Sequence, residues 1–303
     1  MTYQEFVNDV KKRVTEKTAA RNARVTIMQM VKANDRVRDG LLIVENERDP
    51  SPTIYLDDLY EWHQEGISQE EIAEQILQIH DSHKNMPLPP FPDFRSFEKA
   101  KHSITCKLFN TKVNEKYLED AATIEFFDLS VAFYCTAVVG REKHVFSSKV
   151  TEEMLEQWGK TTQDLFPLAM SNTAGMLGVY LKEVKEVFLE MADLQEEKDI
   201  LQDALEDGDR SPMYLLSNEP RRFGAVNMLQ YELLQDLSEE LEDDLYIIPS
   251  SIHEVLLVPV HSRLSREEAD AMVRDVNRNI LGTEDILSDH VYLYSRQENR
   301  ITA

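Results

Sequence analysis

The stretch Leu245-Tyr-Ile-Ile-Pro-Ser-Ser-Ile-His-Glu-Val-Leu-Leu-Val-Pro-Val260 decides the fold class. It holds two short runs of aliphatic residues, Leu245–Ile248 and Val255–Val260, parted by small polar residues, which is the pattern of two strands joined by a turn. A helical pattern precedes it (Ala225–Leu241) and another follows it (Ser265–Ile280). Strand-like runs, Met213–Leu216 and Val291–Tyr294, stand at the two ends. The order over residues 210–303 is therefore β-α-β-β-α-β. It can close as a split-βαβ sheet with both helices on one face, and other sheet orders remain open.

Upstream, residues 183–209 read as an acidic helix with an apolar stripe at Val184, Val187, Phe188, Met191 and Leu194, ending at Asp207-Gly208-Asp209. Residues 96–182 form a middle α+β unit: strand Ile104–Phe109, short helix Asn114–Asp120, strands Ile124–Val138 and His144–Ser148. A long helix follows, which Gly159 and Pro167 break or bend. Thr151 can cap that helix, although Met154 stands where a capping box places an acid or amide. Ile104–Asn110 and Met213–Asn218 are both strands ending in Asn, so a degenerate duplication of the two units is conceivable. Residues 86–95 are a proline-rich linker or strap, because Met86-Pro-Leu-Pro-Pro-Phe-Pro92 fits neither a helix interior nor a central strand.

Residues 1–85 read as an α-β-β-α-α unit. Thr2 and Glu5 make a capping box, and Phe6, Val10 and Val14 share one helix face. Val25–Val31 and Gly40–Glu45 make a hairpin. Tyr55–Gln64 and the helix carrying Ile72, Ile76 and Ile79 complete the unit. The whole is an α+β chain.

The chain has 303 residues, 42% of them hydrophobic, and carries 56 acids against 33 bases, a net charge of −23. Such a charge favours solubility and repels nucleic-acid phosphate, so direct nucleic-acid binding is disfavoured and a protein partner is expected. No apolar run approaches the roughly 20 residues of a membrane span, and Met1–Phe6 does not open like a secretory signal, so a cytoplasmic location is expected. Cys106 and Cys135 lie in apolar strands and read as reduced, buried thiols.

Candidate chemistry is sparse. His80 and His83, three apart on a helix, can put two imidazoles on one face, but no third ligand follows at a recognised interval, and no metal is expected. Nine glycines and no phosphate-cradling loop argue against a nucleotide, and no cofactor is expected. The turn Ser250, Ser251, His253, Glu254 gathers hydroxyls, an imidazole and a carboxylate without a nucleophile elbow, so its catalytic reading competes with plain turn chemistry. Arg221 and Arg222 precede a helix start, where two cations oppose the helix dipole. An ion pair or a bound anion must compensate.

The motifs Met213-Tyr-Leu-Leu-Ser-Asn218, Phe223-Gly-Ala225, Asp244–Val255 and Met272-Val-Arg-Asp-Val-Asn277 resemble an uncharacterised bacterial family, the domain of unknown function numbered 5688. Arg38-Asp-Gly-Leu41, Ser51–Leu56, Phe127-Asp-Leu129 and Asn172-Thr173 extend the likeness over nearly the whole chain. A more distant likeness is to another uncharacterised bacterial family, typified by a Bacillus-type cytosolic protein. The resemblance implies a bacterial cytoplasmic protein and carries over no activity, cofactor or site residue.

Two functions are therefore expected in competition. One is a non-enzymatic cytosolic binding or regulatory protein acting through protein–protein contacts. The other is a small-ligand or anion-binding protein, or a hydrolase-like enzyme, centred on Ser250–Glu254 with Arg221 and Arg222. Neither an oligomeric state nor a partner is written in the sequence.

Overall fold

A computed structural model describes residues 1–46, 51–83, 93–139, 144–191, 212–262, 264–279 and 281–303. The proline-rich stretch Met86–Pro92 and the acidic segment beyond Met191 lie outside the described residues. The chain divides into two compact units, Met1–Pro89 and Pro90–Ala303.

In the first unit α1 (Tyr3–Thr18) starts at the Thr2–Glu5 capping box, with both reciprocal hydrogen bonds formed. β1 (Arg24–Val31) pairs antiparallel with β2 (Val37–Val44), and β3 (Ile54–Tyr55) adds to β2. The helices α2 (Leu56–Gln64) and α3 (Gln69–His83) follow. Phe6, Val10 and Val14 of α1 pack with Leu41 and Ile43 of β2 and with Ile72 and Ile76 of α3 in one apolar core.

The second unit holds two antiparallel sheets. The first is four-stranded: β4 (Ile104–Asn110), β5 (Thr123–Phe126), β6 (Leu129–Val139) and β7 (His144–Lys149). β6 is central, paired to β4 on one side and on the other to β5 and then β7. It is buried from Leu129 to Ala137, so both faces of the sheet are covered there. After α4 (Phe97–Ala100), which precedes β4, the next helices are α5 (Glu152–Trp158) and α6 (Thr162–Leu177).

The expected long helix is thus two. Gly159 ends α5 in the left-handed region (φ 61°), and the Thr161–Asp164 capping box starts α6. Thr151 does cap α5, through its hydroxyl and the Met154 amide. The expected helix Asn114–Asp120 is replaced by a 3₁₀ turn, Lys112–Asn114, and further turns. The Asn114 amide donates to the Asn110 carbonyl and the Asn110 side chain accepts from the Val113 N–H, giving the backbone an alternative to helix.

The second sheet is six-stranded and also antiparallel. It is built from β8 (Tyr180–Glu183), β9 (Tyr214–Ser217), β10 (Leu245–Pro249), β11 (Val255–Pro259), β12 (Tyr292–Ser295) and β13 (Arg300–Thr302). The spatial order is β13-β12-β10-β11-β9-β8. The β-α-β-β-α-β order of its centre holds, and both βαβ connections are split by one strand: β9 and β10 are each antiparallel to β11, which lies between them, and β11 and β12 are each antiparallel to β10. The helix α7 (Val184–Met191) follows β8, a 3₁₀ segment (Gly224–Leu229) leads into α8 (Tyr231–Glu240), and α9 (Arg266–Asn279) precedes β12. The last packs Ala269 and Val273 against Ile248 and Val258.

The first three strands of the four-stranded sheet and the second to fourth strands of the six-stranded one share one arrangement. β4 flanks β6 of the β5–β6 pair, and β9 flanks β11 of the β10–β11 pair. Both thiols are free and buried; Cys106 stands opposite Phe133 and Cys135 opposite Ile104, so the two are staggered. Among the described residues no helix is long and apolar enough to cross a membrane.

Candidate functional site

The loop after β9 is closely constrained. Arg221 and Phe223 both adopt φ 55°, a conformation rare for bulky residues. Asn218, fully buried, holds the loop from inside: its Oδ1 accepts the Arg222 N–H at 3.0 Å and its amide donates to the Arg222 carbonyl at 2.8 Å. Gly224 then passes so close to β9 that a Cβ would lie 2.4 Å from Ser217 Oγ and 2.5 Å from the Asn218 nitrogen. Its N–H donates to the His253 carbonyl (2.9 Å), which also accepts from the Ser217 hydroxyl (2.8 Å).

His253 is the second clamp. Its Nδ1 accepts the Phe223 N–H at 3.0 Å, which fixes the proton of the neutral ring on Nε2, 3.2 Å from Asp285 Oδ1. The same ring meets Phe223 edge-on, centroids 5.4 Å apart. Ser251, buried, accepts the His253 N–H at 3.0 Å, and the Ile252 N–H donates to the Asp285 carbonyl at 2.8 Å. Arg221 lies 3.5 Å from Glu254 and stacks over Tyr180 at 4.4 Å.

The residues singled out from sequence therefore do converge. Ser251, His253, Glu254 and Arg221 form one network with Ser250, half-buried, in the adjoining turn. In this arrangement the lone pair of His253 is already engaged, so the imidazole is not placed to take a proton from either serine. The network holds the Arg221–Gly224 loop.

What the loop covers was not evident from the sequence. Thr105, Lys107 and Phe109 share one face of β4, with Tyr134 and Thr136 of β6 and Ser147 of β7 alongside. Thr105 and Thr136 join hydroxyls at 2.6 Å, and Lys107 Nζ donates to Ser147 Oγ at 2.6 Å. The ammonium sits between two rings, 4.1 Å from the Tyr134 centroid and 4.3 Å from that of Phe223. Burial, and then the charge of Arg222, push the Lys107 amine down to about 7. Among the described residues no carboxylate pairs with Lys107, and none pairs with Arg222, which is exposed. The available signal was a lysine, the one charged residue, inside the strand-like run Ile104–Phe109.

A second polar cluster surrounds Asp128 in the β5–β6 turn. Its carboxylate accepts from Tyr292 (2.5 Å), Ser288 (2.9 Å) and Asn110 (3.4 Å), and His290 Nε2 lies 3.5 Å away. Serine, histidine and aspartate meet here: Ser288 and His290 both reach the carboxylate, Ser288 Oγ also lies 3.3 Å from His290 Nδ1, and Ser288 is buried. The hub ties β4 and the β5–β6 turn to β12. Burial first, then the bond to Asp128, push the Tyr292 phenol well above its ordinary value.

For metals, the two histidines whose spacing could place them on one face are used differently. His83 Nδ1 faces its own helix at the Ile79 carbonyl (2.8 Å), whereas His80 is buried beside Glu45 and Asp81.

By architecture this is an α+β protein of antiparallel sheets, with a lysine enclosed beneath a strained, cation-bearing loop. The chain belongs to the family of unknown function DUF5688, whose model matches residues 3–296. No curated protein and no solved structure matches it.

Proposed function

We propose that the protein is a non-enzymatic binding protein whose second unit captures a small anion, a carboxylate or phosphate group, at Lys107 and Arg222. The observation that carries this reading is the enclosed ammonium of Lys107, which has a hydroxyl and two aromatic faces around it but no carboxylate. In a chain with 56 acids, two neighbouring cations without an acidic partner are unusual. Burying an ammonium without a counter-charge is unfavourable, and a bound anion would relieve that cost. The strained loop supports the reading, since two left-handed residues are held by His253 and Asn218 where they set Arg222 and Phe223 beside Lys107. The net charge of −23 opposes a large acidic partner more than a small ligand.

Isothermal titration of the full chain with inorganic phosphate, acetate and succinate tests this. One equivalent of at least one probe is expected to bind, with the affinity reduced about tenfold or more in Lys107→Met and in Arg222→Gln. Equal binding by wild type and both variants, or no binding of any probe, overturns it.

A protein–protein contact is the second reading, favoured by β1. Among the described residues it is an edge strand of its sheet, with Met28 and Val31 exposed and Val37 exposed opposite Val31. Such an edge can accept a strand from a partner in the cytoplasm. Replacing Met28 with Lys should abolish co-purification of a stoichiometric partner from the native host. Unchanged recovery would remove this reading.

A further inference from the structure

We propose that Glu45, His80 and Asp81 in the first unit form a binding site for a divalent transition metal of the zinc type. The proposal is independent of the anion site, whose residues all belong to the second unit. Glu45 immediately follows β2, and His80 and Asp81 are consecutive in the last turn of α3. One imidazole nitrogen and one oxygen from each carboxylate lie within 4.8 Å of one another. A tetrahedral zinc ion with bonds of about 2.0–2.2 Å holds its ligand atoms roughly 3.4 Å apart, so side-chain rotation alone closes the group.

The second observation is His80 itself. It occupies the next position of the stripe Ile72–Ile76–His80, where the two preceding positions bury isoleucine in the core. It is 3% exposed, and neither ring nitrogen has a hydrogen-bond partner, although Nε2 points to Glu45 Oε1 at 3.5 Å. A buried imidazole left without partners is costly. A metal ion would satisfy one nitrogen, bringing it together with the two carboxylates as an N/O ligand set suited to zinc.

At present the guanidinium of Arg21 stands in for a cation. It pairs with both oxygens of Asp81 (2.5 and 3.0 Å) and reaches Glu45 at 3.4 Å. Arginine is donor-only and in this position makes no contact that satisfies His80. Arg21 and the metal are therefore competitors for the same carboxylates. This gives the proposal a signature that an ordinary ion-pair network lacks: removing Arg21 should strengthen metal binding.

The experiment is titration of the full chain with Zn²⁺ alone, by calorimetry and by the shift in thermal unfolding, for wild type and for Arg21→Ala, His80→Gln, Asp81→Asn and Glu45→Gln. Wild type should bind one equivalent and unfold at higher temperature with it. Asp81→Asn, at an exposed position and so a safe folding control, should bind about tenfold more weakly or worse, as should His80→Gln and Glu45→Gln. Arg21→Ala should bind more tightly than wild type. Zinc binding that is absent, unchanged by His80→Gln and Asp81→Asn, or weakened by Arg21→Ala overturns the proposal.

Discussion

The Phe223 N–H donates to Nδ1 of His253 at 3.0 Å, from a residue whose own φ of 55° an unsupported phenylalanine would avoid. The bond does two things at once. It sets the imidazole tautomer that faces Asp285, and it holds the Phe223 ring against the Lys107 ammonium. His253 thus acts on the site as a positioning residue, through a loop.

Replacing His253 with Ala should lower stability by about 1–3 kcal/mol, because the Phe223 amide loses its acceptor while the strained backbone remains. Anion affinity should fall as well, although His253 itself makes no contact with Lys107 among the described hydrogen bonds and ring contacts. His253→Asn offers an amide oxygen near the place of Nδ1 and should recover part of both losses. Urea denaturation and calorimetry on the three proteins check this; equal losses in Ala and Asn would show that the acceptor is not what matters.

Gly224→Ala makes a sharper prediction. The added methyl would meet Ser217 Oγ and the Asn218 nitrogen at 2.4 and 2.5 Å, and the second of these is backbone that cannot rotate away. The loop must shift, at about 1–3 kcal/mol by the usual cost of overpacking. A denaturation midpoint equal to that of wild type would contradict this.

Local chemistry was legible in three places. The Thr2–Glu5 box, the β1–β2 hairpin and the β10–β11 pair each rest on neighbours within a few residues, and each forms. Tyr180-Leu-Lys-Glu183 was hidden because its intrinsic preference is helical and only pairing with β9, more than thirty residues on, makes it a strand. Asn114–Asp120 failed for the opposite reason, as Asn110 and Asn114 bonded to their own loop instead of a helix. The site divides in the same way. The turn Ser250–Glu254 and Arg221 could be named from residue types, but Asp285 and Lys107 could not. A lysine in a strand ordinarily reads as solvent-facing. Lys107 is enclosed because Phe223, over a hundred residues later, lies across it.

Asp128 should behave as a structural hub. Asp128→Ala takes the acceptor from the buried Tyr292 hydroxyl and leaves the Ser288 hydroxyl only His290 Nδ1 at 3.3 Å, and should cost about 1–3 kcal/mol. Tyr292→Phe removes one donor without leaving a buried donor unmatched and should cost about 1 kcal/mol. Losses in the double variant should fall short of the sum, since both changes delete the same bond. A fully additive cycle in urea denaturation would mean that the bond contributes nothing.

Lys107 sets a pH dependence of definite sign. In the unfolded chain the amine holds its proton up to about 10.5, whereas in the folded protein it loses it near 7. Between those values the unfolded state binds more protons, so this residue makes stability rise with pH; below 7 both states are charged and the burial penalty is constant. Lys107→Met removes the penalty, so without ligand the variant should be the more stable protein at and below neutral pH, by on the order of 1–3 kcal/mol for this half-buried side chain. That advantage should shrink steadily as pH climbs from 7 towards 10.5. An anion bound at Lys107 favours the charged amine, so binding should take up a proton near neutral pH and weaken as pH rises. Urea denaturation of both proteins across this range, with phosphate titrations in buffers of different ionisation enthalpy, measures the two effects. A stability gap that stays flat with pH would show that Lys107 keeps an ordinary amine. Phosphate binding without proton uptake would show that the anion is held elsewhere.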